Sequence, residues 1–314
     1  MSPSVPAPAF SVVIPTHDRM DVLPEVLDAV EGQRGAPPFE VVVVDDGSGD
    51  GTREFLAGRR FGVPARVLCQ ENRGPAAARN AGVRAAAGER VAFLGDDTVP
   101  TPGWLAAHAR AHESRGGGAE LAVIGYTRWH PRVRTNPFLR YINEHGLQFG
   151  YALIEDPEDL PFNFFYTSNL SLARRRLVEE PFDERFPYPA WEDIELSYRL
   201  SKAGQRLVYE PRAVVLHDHP TTLERFCGRQ EKAGYSAVVF FGRHPELGAF
   251  LGVGPEGPPP LPPERPHRRR ERLARALQNL PLRTARLWED VLRFHYIAGL
   301  RRAWQDGAAK GEVS

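Results

Sequence analysis

Two apolar runs end in paired carboxylates: Val41-Val42-Val43-Val44-Asp45-Asp46-Gly47-Ser48 and Val91-Ala92-Phe93-Leu94-Gly95-Asp96-Asp97. Runs this apolar are typical of strands that are buried on both faces of a helix-covered sheet. Because ligands bind beyond the carboxyl ends of the strands in such sheets, we expect both acidic pairs on one rim. Carboxylates there can hold a hard cation, although Asp and Gly also end strands where no ligand binds.

Around these runs, strand and helix patterns alternate. Strands are predicted at residues 10–14, 39–44, 65–69 and 90–94, with helices at 22–30, 52–56 and 75–87. This alternation predicts parallel strands with right-handed crossovers, and therefore an α/β fold. The later pattern is mixed, with strands at 121–125, 169–172, 206–209 and 213–216 and helices at 104–112 and 192–203. Residues 128–165 have no clear period, and we expect a mobile or substrate-facing segment there.

Composition bounds the function classes. Lys plus Arg equals Asp plus Glu at 40 each, so no global charge favours nucleic acid as a partner. The two cysteines, Cys69 and Cys227, show no metal-ligand spacing. The N-terminus lacks a signal-peptide pattern, and no apolar stretch reaches the roughly 18–20 residues of a membrane span. These features predict a soluble, cytoplasmic protein.

The loop after the first strand, Pro15-Thr16-His17-Asp18-Arg19, is neither a Gly-x-Gly-x-x-Gly turn nor a Walker loop. This counts against a nicotinamide-binding site, so a nucleotide bound here would be read by side chains. Asp45 or Asp46 could accept a base N–H, and Arg79 could meet a phosphate, although helix arginines are usually solvated.

Asp96 and Asp97 are the strongest metal candidates, since carboxylate, water and phosphate oxygens suit Mg²⁺ or Mn²⁺. A third apolar strand ends in His217-Asp218-His219, and either imidazole could complete the ligand set.

The segment Trp191-Glu192-Asp193 opens an amphipathic helix. Acidic residues in a first turn suit the helix dipole, but one of these carboxylates could instead act as a general base. Trp191 could offer an apolar platform for a sugar face.

Taken together, these motifs resemble the family 2 glycosyltransferases, which are inverting enzymes of the GT-A fold that use nucleotide sugars. The resemblance covers roughly residues 10–220 and also includes Asn72-Arg73-Gly74-Pro75-Ala76-Ala77-Ala78-Arg79-Asn80. It implies a Rossmann-like, mainly parallel central sheet flanked by helices. The predicted domains are a disordered segment 1–9, a GT-A domain 10–253 (nucleotide-binding half about 10–125, acceptor-binding half about 126–253) and, outside the core that the family shares, a Pro-rich linker 254–266 and a C-terminal extension of Arg-rich helices 267–314.

The resemblance also implies roles for single residues. Pro15, Thr16 and Asp45 would line the base and ribose pocket, with Arg79 near the base or phosphate. Asp97 would be the direct metal ligand and Asp96 would lie nearer the ribose or sugar, in a motif that Gly95 shortens. The further implied roles are a catalytic base at Asp193 and a metal ligand at His217. Acceptor or sugar contacts are expected from Asn169 with Ser168, and from Trp191 and Glu192.

The sequence therefore predicts a Mn²⁺- or Mg²⁺-dependent glycosyltransferase acting in surface polysaccharide or glycolipid synthesis. A UDP-sugar donor is favoured, with GDP- or dTDP-sugars as alternatives, and the acceptor is a glycan or glycolipid. Between residues 264 and 302, eleven arginines face four acidic residues, which suggests docking at the inner face of an anionic membrane or oligomerisation. The alternative functions are a sugar-phosphate nucleotidyltransferase and a catalytically silent carbohydrate-binding protein.

Overall fold

The computed structural model describes residues 7–280 and 284–310 and divides into two compact units. The first comprises Met1–Val133, Leu153–Glu184 and Asp193–His219, and the second comprises Arg134–Ala152, Arg185–Glu192 and Pro220–Ser314. Residues 1–6 of the segment predicted to be disordered lie outside the described residues.

All the strands belong to the first unit. They are β1 (Phe10–Thr16), β2 (Phe39–Asp46), β3 (Ala65–Gln70), β4 (Arg90–Leu94), β5 (Thr98–Pro100), β6 (Leu121–Trp129), β7 (Asn169–Ala173) and β8 (Arg206–His217). They form one sheet in the order β3-β2-β1-β4-β7-β6-β8-β5. The pairs among β1 to β4 are parallel, as is β6 with β8, whereas β7 runs antiparallel to β4 and β6, and β5 runs antiparallel to β8.

The helices are α1 (Leu23–Glu31), α2 (Thr52–Gly58), α3 (Pro75–Ala85), α4 (Trp104–Ser114), α5 (Pro137–Glu144), α6 (Arg174–Glu179), α7 (Glu192–Lys202), α8 (Leu223–Arg243), α9 (Gly248–Leu251), α10 (Glu264–Leu277) and α11 (Ala285–Gln305). In the part of the chain that the structure describes, none of them combines the length and the apolar character that a membrane span requires.

The central strands are buried on both faces, as their apolar runs predicted. Val41, Val42, Val43 and Val44 are all fully buried, although successive side chains of a strand point to opposite faces. Helix α1 covers one face through its apolar stripe of Leu23, Val26, Leu27 and Val30. Helix α3 comes very close to the sheet at Gly82, where a Cβ would lie only 2.4 Å from Cγ1 of Val13.

A buried polar network joins α4 to β7. The indole of Trp104 and Nε2 of His108 lie 2.7 and 2.9 Å from Oδ1 of Asn169. Ser171 Oγ lies 2.9 Å from His108 Nδ1 and 2.8 Å from His112 Nε2. If each ring carries its proton on Nε2, the serine hydroxyl donates to His108 and accepts from His112. With both imidazoles neutral, this arrangement satisfies the serine hydroxyl and both ring nitrogens of His108, and it leaves Nδ1 of His112 buried without a hydrogen-bond partner among the described residues.

In the second unit, α8 and α11 pack through reciprocal glycines. A Cβ on Gly234 would lie 2.1 Å from the carbonyl oxygen of Tyr296, and a Cβ on Gly299 would lie 2.0 Å from that of Glu231. Both are far closer than any Cβ contact, so only glycine allows the two backbones this separation.

The elements β5, α6, α8 and α9 were not predicted from the sequence, and the structure differs from the prediction at three further places. The two strands predicted at 206–209 and 213–216 are one strand, β8, in which a bulge absorbs the interruption: Glu210 pairs with Gly125, and Val214 pairs with the next residue of β6. Helix α5 lies within 128–165, where no regular element was predicted, and its N-cap Asn136 accepts from Leu139 N at 2.8 Å. Helix α10 begins at Glu264, inside the proline-rich segment.

Candidate functional site

The ends of three strands bring the predicted acidic pairs to one rim of the first unit. Strand β1 pairs in parallel with both β2 and β4, so their carboxyl ends lie side by side. Strand β8 reaches the same rim because His217 pairs with Thr98 of β5, and Asp218 N donates to Asp97 O at 2.8 Å. The topology thus places His217 beside Asp97.

Asp97 is the centre of a cluster of nitrogen atoms. Its Oδ2 lies 3.5 Å from His217 Nε2, 3.2 Å from His219 Nδ1 and 3.3 Å from Arg19 Nη2. The two imidazoles stack with centroids 5.6 Å apart, and His217 also stacks on Trp129 at 5.2 Å. The two histidine rings therefore lie on the same side, next to Asp97.

The two adjacent carboxylates of this rim differ in charge state. Burial, and then the charge of Asp97, raise the pKa of Asp96. Burial acts in the same direction on Asp97, but His217, His219 and Arg19 outweigh it and hold the pKa of Asp97 well below its usual range. Asp97 is therefore the carboxylate that stays ionised and can serve as a ligand.

Arg19 lies between the carboxylates and was missed by the sequence prediction. Besides its contact with Asp97, its Nε lies 3.8 Å from Asp96 Oδ1 and its Nη2 lies 2.9 Å from His219 Nδ1. A signal existed, because Arg19 is the first cation after β1 and follows the strand by three residues. Its guanidinium supplies positive charge at the place where the carboxylates accumulate negative charge.

The donor atoms of this rim fit a divalent cation. One ligand atom each from Asp97, His217 and His219 lies within 4.8 Å of the others. A carboxylate with one or two imidazoles suits Mn²⁺, which takes nitrogen and oxygen ligands and fills its remaining positions with water or phosphate oxygens.

The other acidic pair is committed to loop structure. Asp45 is fully buried, and its carboxylate accepts from Arg53 Nε at 3.0 Å and from Ser48 N at 3.1 Å. Asp46 accepts from the backbone N–H groups of Arg73 at 2.9 Å and Gly74 at 2.8 Å, and from the Gln70 side chain. Asp46 thus anchors the turn into α3. Asp45 is paired with Arg53, a residue that the sequence prediction did not include.

Asp193 lies in the first turn of α7. Its Oδ1 accepts from Ile194 N at 2.9 Å, and its Oδ2 lies 3.5 Å from Thr167 N. These contacts fix the carboxylate beside the loop that ends at Ser168, which precedes β7.

Trp191 and Glu192 belong to the second unit. Trp191 has a left-handed backbone with φ of 74°, and its indole donates to Ala233 O at 2.9 Å and packs on Phe240 and Phe250. These contacts occupy the indole within its own unit. Glu192 is buried.

Asn169, which was predicted to contact the acceptor, uses its side chain for hydrogen bonds inside the sheet. Its Oδ1 lies within hydrogen-bond distance of Trp104 and His108, and its Nδ2 donates to Ala213 O at 2.9 Å. The side chain is fully buried and its amide is used inside the sheet.

The remaining predicted nucleotide contacts lie on β1 and α3. Pro15 and Thr16 end β1, where Thr16 pairs with Asp45 across the sheet. The guanidinium of Arg79 lies 5.6 Å from the ring centroid of Phe182, which holds it by a cation–π contact.

Comparison with known proteins agrees with this architecture. A family model described as "Glycosyl transferase family 2" matches residues 11–182, more than half of the chain. The chain is 32% identical over 257 residues to the pre-mycofactocin glycosyltransferase of Mycobacterium tuberculosis, a match that covers 77% of this chain and 50% of that protein. The chain therefore spans about half the length of this relative.

Solved structures show the same fold at low identity. A mannosyltransferase from Pyrobaculum calidifontis, in complex with GDP-Man and Mn²⁺, superposes with a TM-score of 0.62 at 19% identity, covering 95% of this chain and 88% of that one. S. aureus TarS in complex with UDP gives a TM-score of 0.51 at 17% identity, covering 95% and 91%. The predicted GT-A fold is confirmed, and with more than half of its residues matched by the family model, the chain belongs to glycosyl transferase family 2.

Proposed function

We propose that the chain is a metal-dependent, inverting glycosyltransferase that moves one sugar from a nucleoside diphosphate sugar to an acceptor hydroxyl. The observation that carries the proposal is the convergence of Asp97, His217 and His219 at the rim, with ligand atoms within 4.8 Å of one another. A divalent cation held by Asp97 with His217 or His219 would supply Lewis-acid stabilisation of the departing diphosphate. Both Mn²⁺ and Mg²⁺ are compatible with this role.

Arg19 has a complementary role in this proposal. Its guanidinium already lies among Asp96, Asp97 and His219, within 3.8 Å of each. A guanidinium can pair bidentately with phosphate oxygens, so Arg19 is suited to orient the diphosphate of the donor. With a cation held at Asp97, Arg19 would exchange its contact with Asp97 for one with a phosphate.

Asp193 is the proposed general base. It takes the proton of the acceptor hydroxyl, and the acceptor oxygen forms its bond to the anomeric carbon on the face opposite the nucleoside diphosphate. The bond between that carbon and the diphosphate oxygen breaks, and its electron pair leaves with the diphosphate, which inverts the anomeric centre. The contacts with Ile194 N and Thr167 N support this role because they fix the carboxylate in place.

For the donor base, we propose that Asp45 accepts a hydrogen bond from an N–H of the base after the Arg53 side chain has released the Asp45 carboxylate. Uracil offers such a group, and a UDP-sugar is favoured; the structural neighbours described above hold UDP in one case and GDP-Man in the other. The proposed acceptor is a glycan or a glycolipid. The exposed arginines of α10 would bind an anionic membrane surface.

The first test is thermal unfolding with UDP, GDP, dTDP or CDP, each with Mn²⁺, Mg²⁺ or EDTA. A nucleotide that binds the native state raises its stability by mass action, so we expect a base-selective rise in Tm that EDTA removes. Asp97→Asn should lose the metal-dependent part of that rise.

Asp159→Asn is the matched control. Asp159 is exposed and lies beside the start of β8, where the backbone N–H of its neighbour Leu160 donates to Leu207 O. The proposed metal ligand His217 lies at the other end of that strand. Unchanged Mn²⁺-dependent binding in Asp97→Asn would refute the metal assignment. Absence of any nucleotide effect in the folded wild type would favour a silent carbohydrate-binding protein.

A further inference from the structure

The second unit contains a partly buried cluster of metal-ligand side chains that the proposed transfer reaction does not use. One ligand atom each from Cys227 on α8, Glu271 on α10 and His295 on α11 lies within 4.8 Å of the others. A fourth side chain, His267, lies one helical turn before Glu271, and its Nε2 is 3.5 Å from Glu271 Oε2. Three helices thus contribute sulfur, nitrogen and oxygen donors to one point.

The two histidines of this cluster have donor atoms that no hydrogen bond uses. His267 is 93% buried, since 7% of its surface is accessible, and its ring stacks on Phe294 with centroids 3.5 Å apart. The Nε2 atoms of His267 and His295 are both buried without a hydrogen-bond partner among the described residues. A buried nitrogen without a partner is costly, so an arrangement that directs two of them toward a thiol and a carboxylate indicates a missing bound group.

The contacts around the cluster orient it for ligation. His295 Nδ1 lies 2.6 Å from Glu231 Oε1, which leaves Nε2 as the metal-facing nitrogen. Glu271 Oε1 accepts from Arg275 Nη2 at 2.6 Å, which leaves Oε2 on the side of His267. Carboxylates behind ligating histidines, and hydrogen bonds to ligating carboxylates, are the usual outer contacts of protein zinc sites.

We propose that Cys227, His267, Glu271 and His295 form a tetrahedral Zn²⁺ site that links α10 to α8 and α11. Zinc takes these ligand types at bond lengths of about 2.0–2.3 Å, so its ligand atoms lie roughly 3.5 Å apart, and Cys227, Glu271 and His295 need to approach one another by only about 1 Å. A thiolate and a carboxylate together balance the charge of the ion. The residues of this site take no part in the proposed transfer reaction, and the ion would have a structural role.

The test uses the full chain, loaded with Zn²⁺ or Co²⁺ and desalted. We expect one zinc per chain by elemental analysis. The Co²⁺ form should show the visible absorption of a tetrahedral ion and a near-ultraviolet thiolate-to-cobalt band. Because Asp97, His217 and His219 include no sulfur, that band requires a cysteine ligand and separates this site from the proposed catalytic metal.

Four variants test the assignment of the ligands. Cys227→Ser should lose the thiolate band and the retained zinc, whereas Cys69→Ser, at the other and exposed cysteine, and Asp97→Asn should keep both. Glu231→Gln should keep the band but weaken zinc affinity about 10- to 100-fold, as loss of an outer contact does. Less than about a tenth of a zinc per wild-type chain, or no thiolate band on Co²⁺ titration of the wild type, would overturn the proposal even if Cys227→Ser fails to fold.

Discussion

The neutral histidine pair of α4 makes a quantitative prediction for stability in acid. Burial lowers the pKa of His108 to about 4. Burial, and then the charge of Arg90, lower that of His112 to about 3. The ordinary histidine pKa is 6.5, so between pH 6.5 and 4 the unfolded chain binds protons that the folded chain excludes. The stability gained by keeping these rings neutral is therefore complete above pH 6.5 and is lost as the pH falls toward 4.

The magnitude follows from these pKa values. Each pKa unit corresponds to about 1.4 kcal/mol, so the shift of His108 amounts to about 3 kcal/mol by pH 4, and His112 adds a similar amount at that pH. Such a loss is a large part of the 5–15 kcal/mol that a typical protein has. Asp96 acts in the opposite direction over this range because its pKa is raised. The prediction is therefore made for the difference between the wild type and variants.

The assay is urea unfolding of the wild type and of a His108→Gln, His112→Gln double variant between pH 7.5 and 4.5. Glutamine is neutral at all of these pH values, so the variant should be less stable at pH 7.5 but should lose much less stability as the pH falls. His145→Gln, at an exposed histidine, is the control. Parallel loss of stability in the wild type and the double variant would refute the assignment of two neutral, buried imidazoles.

Three other predictions concern packing, a loop and the reaction. Gly299→Ala should lower the free energy of unfolding by about 1–3 kcal/mol, because its Cβ would lie 2.0 Å from the carbonyl oxygen of Glu231. Gly228→Ala is the control: open space surrounds this glycine, so the substitution should raise the free energy of unfolding by up to about 1 kcal/mol. Equal effects of the two substitutions in thermal unfolding would contradict the close packing. Asp46→Ala should lower stability by about 1–3 kcal/mol per unpaired N–H and expose the turn into α3 to proteolysis. Asp193→Asn should retain nucleotide binding but lose transfer by about 10²-fold or more, and near-normal turnover would exclude it as the base.

The sequence predicted the sheet and its rim because the relevant signals are local. Four successive buried valines require cover on both faces of β2, and an apolar run that stops at Asp96 fixes where β4 ends. Parallel pairing then brings the acidic pairs together without further information. That His217 lies beside Asp97 follows from the pairing of β5 with β8, which brings the end of β8 to the same rim.

The sequence does not reveal contacts between side chains that are distant along the chain. Asn169 looks like an exposed turn residue, but its amide is bound by α4, more than 60 residues earlier. Cys227 and His295 have no recognisable ligand spacing because they are 68 residues apart, on helices that meet only after folding. Arg19 was missed because a cation in a loop has no pattern of its own until the carboxylates beside it are placed.

The borders of the sheet have a consequence for self-association. At one border, β5 has only three residues and ends in Pro100, which has no N–H to offer to an added strand. At the other, β3 presents the exposed Arg66, which pairs with Glu40 at 3.4 Å. Short length, proline and charge are the features by which proteins prevent strand addition between copies. We therefore expect the sheet to resist growth into aggregates at either border, so that any association of two copies uses helical surfaces.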